Sequence, residues 1–225
     1  MTSGVNRFER NKNEFRYPSS PVVAVLRAFA FLSSKLLWFI KFRGIENIPD
    51  PEIGGIVVIS NHPTYFDPAW ITMKLHWPLR YMAWDEVFNW RLIGPAIRYL
   101  GAFPVRLRSG PAKSTIVEAL RSLRGGAALV IFPEGEREFA DGKFHEFKSG
   151  AIHIALNAGV PILPVSIRGG NSVWPQGQKY PSFFRRVEVI YHPLFELQPK
   201  PEDIDLDTYL ESLTSRLKEI IERSA

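Results

Sequence analysis

The chain of 225 residues contains no cysteine. This absence excludes disulfides, thiolate metal ligands and a cysteine nucleophile. The sequence also lacks two catalytic signatures, the Gly-x-Ser-x-Gly turn of serine hydrolases and the His-Glu-x-x-His helix of zinc enzymes. We therefore expect neither an acyl-enzyme intermediate nor a metal site, and no bound cofactor.

The charge balance is mildly basic and the length suits one domain rather than two. Lys and Arg number 28 against 23 Asp and Glu, which gives a formal net charge of +5. This excess suits a phosphorylated substrate or an anionic membrane surface. The basic residues are too few and too evenly spread to indicate nucleic-acid binding.

The N-terminal part of the chain divides into a polar, basic tail at residues 1–20 and an apolar segment at residues 21–42. The remaining residues, 43–225, form the predicted domain. Arg27 interrupts the apolar segment and no small-residue cleavage site follows it, which argues against a signal peptide. Its basic residues also argue against a membrane span, which needs ~20 consecutive apolar residues.

A helix over residues 21–42 would place Arg27, Ser34 and Lys41 in one narrow stripe, with apolar side chains on the rest of its surface. This pattern predicts a helix that lies in a membrane interface with its basic side chains at the headgroups. We therefore expect a peripheral or monotopic membrane protein at the cytoplasmic face. The alternative is a helix buried against its own domain.

The domain shows apolar strand patterns that alternate with helical ones. This alternation predicts an α/β fold: a single domain with a largely parallel mixed sheet flanked by helices. Ligands of such sheets bind beyond the carboxyl ends of the strands. The segments "NHPTYFD", "GAFPVRLR" and "FPEGER" lie at or near strand ends and predict one site. The expected strands are 56–60, 79–83, 102–106, 127–132, 162–167 and 186–191.

The stretch "SNHPTYFD" at residues 60–67 holds a histidine and a carboxylate five positions apart. That spacing is not one of neighbours on a helix face, which lie three or four residues apart. His62 and Asp67 can meet only if His62 precedes a helix that Asp67 opens. The sequence favours this, because Asp67-Pro68 is typical of an N-cap followed by proline at the first helical position.

Two further segments carry candidate binding groups. In "FPEGER" (132–137), Gly135 permits close approach of a ligand to the backbone, and Arg137 offers a forked cationic donor for phosphate or carboxylate. In "GAFPVRLR" (101–108), an extended conformation places Arg106 and Arg108 on the same face.

These three segments, followed by "GVPILPVSI" at residues 159–167, resemble the signature of the glycerolipid acyltransferases, the lysophosphatidic acid acyltransferase family. The resemblance covers residues 43–195. It implies a glycerol-phosphate acyltransferase-like fold and an O-acyltransferase. Such an enzyme moves a fatty acyl group from acyl-CoA or an acyl carrier protein to a hydroxyl of a lysophospholipid such as 1-acylglycerol-3-phosphate.

The resemblance also implies roles for individual residues. His62 would be the general base, and Asp67 would hold its imidazole in the required tautomer. Glu134 would accept a hydrogen bond from a glycerol hydroxyl or orient an arginine. Binding of the acceptor's phosphate and glycerol would fall to Arg106 or Arg108, Glu134, Gly135, Arg137 and Lys148. The other four histidines show no partner pattern, and we expect them in core or surface positions.

The chain departs from the family pattern at three positions. Glu136 and Glu138 replace the threonine and serine of Phe-Pro-Glu-Gly-Thr-Arg-Ser, and Leu107 stands where the arginine of the second block commonly falls. Two extra carboxylates beside a phosphate site favour a different acceptor, such as an amino-lipid or glycolipid. A non-catalytic lipid-binding protein on the same fold is a second alternative, against which the His62–Asp67 pair argues.

Overall fold

The structure is a computed structural model, and it describes residues 20–106 and 113–225, without the side chain of Ser20. The predicted polar tail therefore lies outside the described residues, apart from Ser20. The candidate phosphate ligand Arg108 lies outside them as well.

The described chain forms one seven-stranded sheet flanked by helices, which confirms the predicted fold class. The strands are β1 (Lys41–Arg43), β2 (Ile56–Ser60), β3 (Leu79–Trp84), β4 (Ala102–Val105), β5 (Ala128–Ile131), β6 (Ile162–Arg168) and β7 (Glu188–Tyr191). The helices are α1 (Ser20–Trp38), α2 (Asp67–Thr72), α3 (Ile93–Tyr99), α4 (Lys113–Arg124), α5 (Gly150–Ala158) and α6 (Leu206–Glu222).

The strand order is β1-β7-β6-β2-β5-β3-β4. Neighbouring strands are parallel except for β6 and β7, which are antiparallel. The two central strands, β2 and β5, are buried along their whole length. Continuous apolar runs of this kind are expected for parallel strands covered on both faces.

Successive residues of β2 enter two separate cores, because strand side chains alternate between the faces of a sheet. Val57 and Ile59 belong to the core beneath α4, α5 and α6. Ile56 and Val58 belong to the core on the opposite face, with Trp38 of α1 and with residues of α2. Helices α4 and α1 therefore lie on opposite faces of the molecule.

The first helix ends earlier than the sequence analysis predicted. It stops at Trp38, and Phe39 turns the chain with φ 45°. Residues Lys41–Arg43 then form the edge strand β1, which pairs with β7. The placement of Lys41 on the helical stripe was therefore wrong. Ile40 is fully buried whereas Phe39 is exposed, so the local pattern is that of an extended chain.

The polar stripe of α1 faces the domain rather than the headgroups, which corrects the predicted orientation. Ser34 is buried, and its Oγ accepts a hydrogen bond of 3.0 Å from Nε1 of Trp70 in α2. Arg27, about two helical turns earlier on the same stripe, is half-buried. The outward side of α1 is apolar and exposed at Val25, Phe29, Leu32 and Leu36.

The alternative of a buried helix finds no support, since only 11% of the segment Pro21–Trp38 is buried. That segment has a mean hydropathy of 1.5 and is long enough to cross a membrane by length and composition. One such helix near an N-terminus is weak evidence for a span. The buried Ser34 and Trp38 instead tie the second half of α1 to the domain surface.

One helix boundary also differs from the prediction. Helix α2 begins at Asp67 with Phe66 as the preceding cap residue, so Asp67 is the first helical residue and not the N-cap. Helix α3 begins at Ile93 and contains Gly94-Pro95. Pro95 is tolerated because it lies in the first turn, where backbone N–H groups have no partner within the helix.

Candidate active site

The carboxyl ends of three adjacent strands meet at one edge of the sheet. Strand β2 lies between β5 and β6 and is parallel to both. The segment that follows β2 begins with Asn61 and His62, and the segment after β5 runs from Phe132 to Arg137. Two of the three predicted motifs therefore converge on one place, the location expected for the site of an open α/β sheet.

His62 and Asp67 are in direct contact, as their spacing predicted. Nδ1 of His62 lies 2.7 Å from Oδ2 of Asp67. Thr64 donates to the same carboxylate twice, from its backbone N–H to Oδ2 (2.7 Å) and from its hydroxyl to Oδ1 (2.6 Å). An ionised carboxylate only accepts hydrogen bonds, so the proton sits on Nδ1 and leaves the lone pair on Nε2.

Burial shapes the electrostatics of this pair. Asp67 is fully buried, and its desolvation raises the pKa of the carboxyl group, against the lowering effect of the hydrogen bonds from His62 and Thr64. The His62 side chain keeps 19% of its surface exposed. Its ring stacks on Phe132 with the centroids 4.0 Å apart. The imidazole is therefore held on one side by a carboxylate and on one face by an aromatic ring.

Glu134 holds the backbone of His62 in place. The side chain is buried; its Oε1 accepts from the N–H of His62 (3.0 Å) and its Oε2 from the N–H of His145 (2.9 Å). Burial raises the pKa of this carboxyl group. Among the described residues these bonds run to backbone and not to an arginine, so the predicted orientation of an arginine is not seen. Contact with a glycerol hydroxyl stays a prediction.

Glu138 contacts the segment that carries Asn61 and His62. Its Oε1 accepts a 2.7 Å hydrogen bond from Nδ2 of Asn61, and its backbone N–H donates to the carbonyl of His62 (3.0 Å). Burial, assisted by the charges of Glu134 and Asp67, raises the pKa of Glu138 to about 8. Glu138 is thus largely protonated at neutral pH and adds no full charge to a phosphate site. Of the two extra carboxylates, only Glu136 is exposed.

Arg137 lies over the same segment that carries His62. Its guanidinium carbon is 3.9 Å from the ring centroid of Tyr65, and its Nη1 donates to the carbonyl of Trp174 (3.0 Å). A guanidinium has five N–H groups, so this bond leaves donors for an anionic ligand. Gly135 has φ 79°, a conformation that a residue with a side chain rarely adopts.

Two other predicted ligands, Arg106 and Lys148, are exposed. Arg106 is exposed just after β4, which stands three places from β2 in the sheet, a separation on the order of 14 Å at normal strand spacing. The structure therefore does not bring Arg106 beside His62. Lys148 is exposed, and its backbone N–H donates to the carbonyl of Pro133 (3.0 Å), which holds the start of α5 against the segment after β5.

Sequence reasoning missed four residues that build the site: Asn61, Thr64, Glu138 and His145. Thr64 had a usable signal, because a hydroxyl residue three positions before a carboxylate is typical of a side-chain-bonded turn. His145 had none: its Nε2–H donates to the carbonyl of Arg137 (3.0 Å), a contact that spans a loop. Within residues 20–106 and 113–225, no cluster of His, Asp and Glu could hold a metal ion.

Comparison with known proteins places this geometry in a family. The family model named Acyltransferase matches residues 39–168. The chloroplastic 1-acyl-sn-glycerol-3-phosphate acyltransferase of Brassica napus is 26% identical over 187 residues, covering 82% of this chain and 52% of the relative. The 1-acyl-sn-glycerol-3-phosphate acyltransferase of Bacillus subtilis is 28% identical over 184 residues, covering 80% of this chain and 87% of the relative.

A solved structure with a similar fold agrees with this family assignment. The 1-acyl-sn-glycerophosphate acyltransferase PlsC of Thermotoga maritima superposes with a TM-score of 0.66 at 26% identity, covering 90% of this chain and 78% of that one. The chain spans about half the length of the plant relatives it matches. The matched segment, more than half of the chain, contains the His62–Asp67 pair and the Phe132–Arg137 segment. This chain therefore belongs to the Acyltransferase family.

Proposed function

We propose that this chain is an O-acyltransferase of phospholipid biosynthesis. It transfers a fatty acyl group from a thioester donor to a hydroxyl of a lysophospholipid of the 1-acylglycerol-3-phosphate type. The family match and the names of the relatives support this activity. The observation that carries it is the 2.7 Å contact between His62 and Asp67 at the carboxyl end of a central parallel strand.

The geometry supports a direct transfer, without an acyl-enzyme intermediate. Nε2 of His62 takes the proton of the acceptor hydroxyl as its oxygen attacks the thioester carbonyl, forming the ester C–O bond. When the C–S bond breaks, the proton on His62 passes to the thiolate that leaves. Asp67 stabilises the imidazolium between these events, and its burial strengthens that interaction because screening by water is weak there. A thioester is already activated, so positioning and one proton relay suffice.

The acceptor's phosphate is proposed to bind Arg137. The guanidinium is fixed by Tyr65 and Trp174, so little of its freedom is lost when an anion binds. The conformation of Gly135, at the turn beside it, lets the ligand approach the backbone. Arg106 or Arg108 remains the proposed second cation, together with Lys148. A role for Arg106 needs a ligand, or a chain movement, that reaches across the sheet edge.

A different acceptor is the second candidate. Exposed Glu136 lies 3.8 Å from Nδ1 of His145 and disfavours a second negative charge nearby. An amino-lipid or a glycolipid would avoid that repulsion. The case is weaker than the sequence suggested, because Glu138 is buried and its pKa is raised to about 8, so that it carries little negative charge at neutral pH.

The protein is further proposed to act at the cytoplasmic face of a membrane, with the exposed apolar side of α1 in the lipid interface. Its partners would then be the lysophospholipid acceptor, the acyl thioester donor and an anionic leaflet. The donor could be carried by CoA or by an acyl carrier protein.

One experiment separates these possibilities. The purified chain is given acyl-CoA or acyl-acyl-carrier-protein with a panel of acceptors: lysophosphatidic acid, other lysophospholipids, an amino-lipid and a glycolipid. Mass spectrometry then reports each ester product, with His62→Ala as the blank. We expect the largest product yield with lysophosphatidic acid. If product forms only with the glycolipid or the amino-lipid, that lipid replaces lysophosphatidic acid as the proposed acceptor. If no pair of donor and acceptor gives product, the chain is a lipid-binding protein.

A further inference from the structure

Two phenylalanines adopt a backbone conformation that bulky residues avoid. Phe39 has φ 45° and Phe184 has φ 57°, and they are the only non-glycine residues with positive φ in the described part of the chain. Such a conformation is unfavourable for a bulky side chain, and glycine or asparagine adopts it with less strain. Yet both rings are exposed, at 47% and 68%, with their centroids 6.3 Å apart. Packing inside the protein does not account for phenylalanine at either position.

The two residues come from distant parts of the chain that are fixed to each other. Phe184 lies in the loop between β6 and β7, and its N–H donates to the carbonyl of Leu37 in α1 (2.6 Å). Nε1 of Trp38 donates to the carbonyl of Ser182 (2.8 Å), and the ring of Trp38 packs on Phe183 with the centroids 6.0 Å apart. The loop is therefore anchored on the end of α1.

The loop displays aromatic rings and positive charge together. We use the name aromatic patch for Phe39, Tyr180, Phe183 and Phe184, whose side chains are all exposed. Exposed basic residues adjoin the patch on both sides, and residues 173–187 contain no Asp or Glu. These basic residues are Lys179, Arg185 and Arg186.

We infer that the aromatic patch is a second membrane contact, which inserts its rings into the interface of an anionic leaflet while the neighbouring cations bind the lipid headgroups. Aromatic rings favour the region between headgroups and acyl chains, and Lys and Arg are attracted to anionic lipids. The patch also adjoins the end of α1, because the loop is anchored at Leu37 and Trp38, between the exposed residues Leu36 and Phe39.

The aromatic patch connects to the candidate active site through a row of rings. Trp38 packs on Phe66 at 4.6 Å between centroids, Phe66 on Trp174 at 5.3 Å, and Trp174 on Tyr65 at 5.0 Å. Arg137 lies over Tyr65. An aromatic patch inserted into the leaflet would hold Arg137, which is proposed to bind the acceptor's phosphate, at a fixed distance from the headgroups. This last step rests on the proposed function, whereas membrane binding by the patch does not.

The first test replaces both strained phenylalanines in the full chain, Phe39→Asn with Phe184→Asn. Asparagine tolerates positive φ, so the fold should be kept or slightly stabilised while the rings are lost. Binding is measured by flotation and titration with phosphatidylcholine vesicles, with and without 30 mol% phosphatidylglycerol in the mixture. We expect the partition constant to fall by about tenfold or more on both vesicles, because apolar contact is lost. Val117→Ser, an exposed change on α4 on the opposite face, is the control.

The second test removes charge, with Arg185→Gln and Arg186→Gln. Binding to anionic vesicles should fall by roughly tenfold or more at low salt, while binding to phosphatidylcholine stays unchanged. Lys113→Gln with Arg124→Gln removes the same charge from α4 and should have little effect.

Unchanged partition constants in both double variants would overturn the inference. The inference is also overturned if the substitutions change only the sedimentation behaviour of the protein, because the patch would then be a contact between copies of this chain. Turnover of a dispersed short-chain lysophosphatidic acid is measured in parallel. Normal turnover with weakened vesicle binding supports the inference, whereas absent turnover in the unmodified chain would reject the proposed function and leave the vesicle result intact.

Discussion

At the scale of single residues, His62 depends on partners that each fix a different degree of freedom. Asp67 holds Nδ1, Glu134 holds the backbone N–H, and Phe132 covers one face of the ring. Asp67 is in turn held by Thr64. Removal of one partner should therefore change turnover more than stability, provided that no buried charge is left unpaired.

His62→Ala should lower kcat by at least ~10²–10⁴, the usual contribution of general acid–base catalysis. Asp67→Asn should also reduce turnover severely, because an amide can hold the imidazole in the wrong tautomer. Both are measured by product formation at saturating substrate, with circular dichroism to confirm folding. Near-normal turnover in either folded variant would contradict the proposed mechanism.

Arg137→Ala should raise the KM for a phosphorylated acceptor more than the KM for the thioester donor. The substitution removes a charge-assisted contact that only the phosphate is proposed to make. Arg106→Ala, at the end of β4, is the informative comparison, since the structure places that residue away from His62. If both substrates are affected equally by Arg137→Ala, the phosphate binds elsewhere.

Glu138→Gln should change how stability depends on pH. The pKa of Glu138 is raised from 4.5 to about 8, so the folded state keeps a proton that the unfolded state loses between these values. The stability associated with this proton is complete below about pH 4.5 and declines as pH rises to about 8. The neutral variant should match the wild type at pH 5 and be more stable at pH 8.5, by on the order of 4 kcal/mol.

Thermal unfolding across pH 5–9 measures this difference, and Glu136→Gln, at an exposed position, is the control. On the order of 4 kcal/mol corresponds to about 8–16 °C in Tm for a chain of this size. Parallel pH profiles for Glu138→Gln and the wild type would mean that Glu138 is already ionised in the folded protein.

At the scale of secondary-structure elements, α1 inverts the arrangement of a helix in a soluble domain. Its polar residues Arg27 and Ser34 face the protein and its apolar residues face outward. The sequence could reveal the stripe but not its direction, because a narrow polar stripe is equally suited to headgroups and to a polar partner. The partner here is the indole of Trp70, which no local pattern connects with α1.

Serine at four exposed positions of α1 should release much of the protein from membranes: Val25, Phe29, Leu32 and Leu36. Deletion of residues 1–42 would be a poorer test, because it removes Trp38 and Ile40 from the core. Flotation with anionic vesicles is the measurement, and turnover of a dispersed acceptor should be nearly unchanged. Val117→Ser with Leu206→Ser, on the opposite face, controls for loss of exposed apolar surface. Equal flotation of the fourfold variant and the unmodified chain would contradict attachment by α1.

At the scale of the whole molecule, the sequence was sufficient for the fold class but only partly for the site. The apolar runs at β2 and β5 predicted buried strands, and the His62–Asp67 pair followed from a strand that ends before a helix. The strand order was not predictable, since it depends on contacts between residues far apart in the chain. For the same reason the distance of Arg106 from His62, and the buried position of Glu138, emerged only from the structure.

Membrane attachment of the whole molecule should combine a salt-sensitive and a salt-insensitive part. Raising NaCl from 0.1 to 1 M shortens the screening length from about 10 Å to about 3 Å and suppresses attraction to anionic headgroups. Apolar burial persists under these conditions. Binding to anionic vesicles should therefore fall to the level seen with neutral vesicles and then stay constant. Complete release by salt would show that charge alone holds the protein on the membrane.

Asn61 has a consequence for the timescale on which the candidate active site moves. Its side-chain amide accepts from the N–H of Ile167 (2.8 Å) and donates to the carbonyl of the same residue (3.0 Å). The side chain thus adds one more rung between β2 and β6 after the backbone ladder has ended at Ser60. His62, the next residue, is therefore attached directly to the central strands, which we expect to open most slowly. In deuterium exchange, the N–H of Ile167 should be retained as long as those of the central strands, so His62 would keep its position through many cycles of lipid exchange.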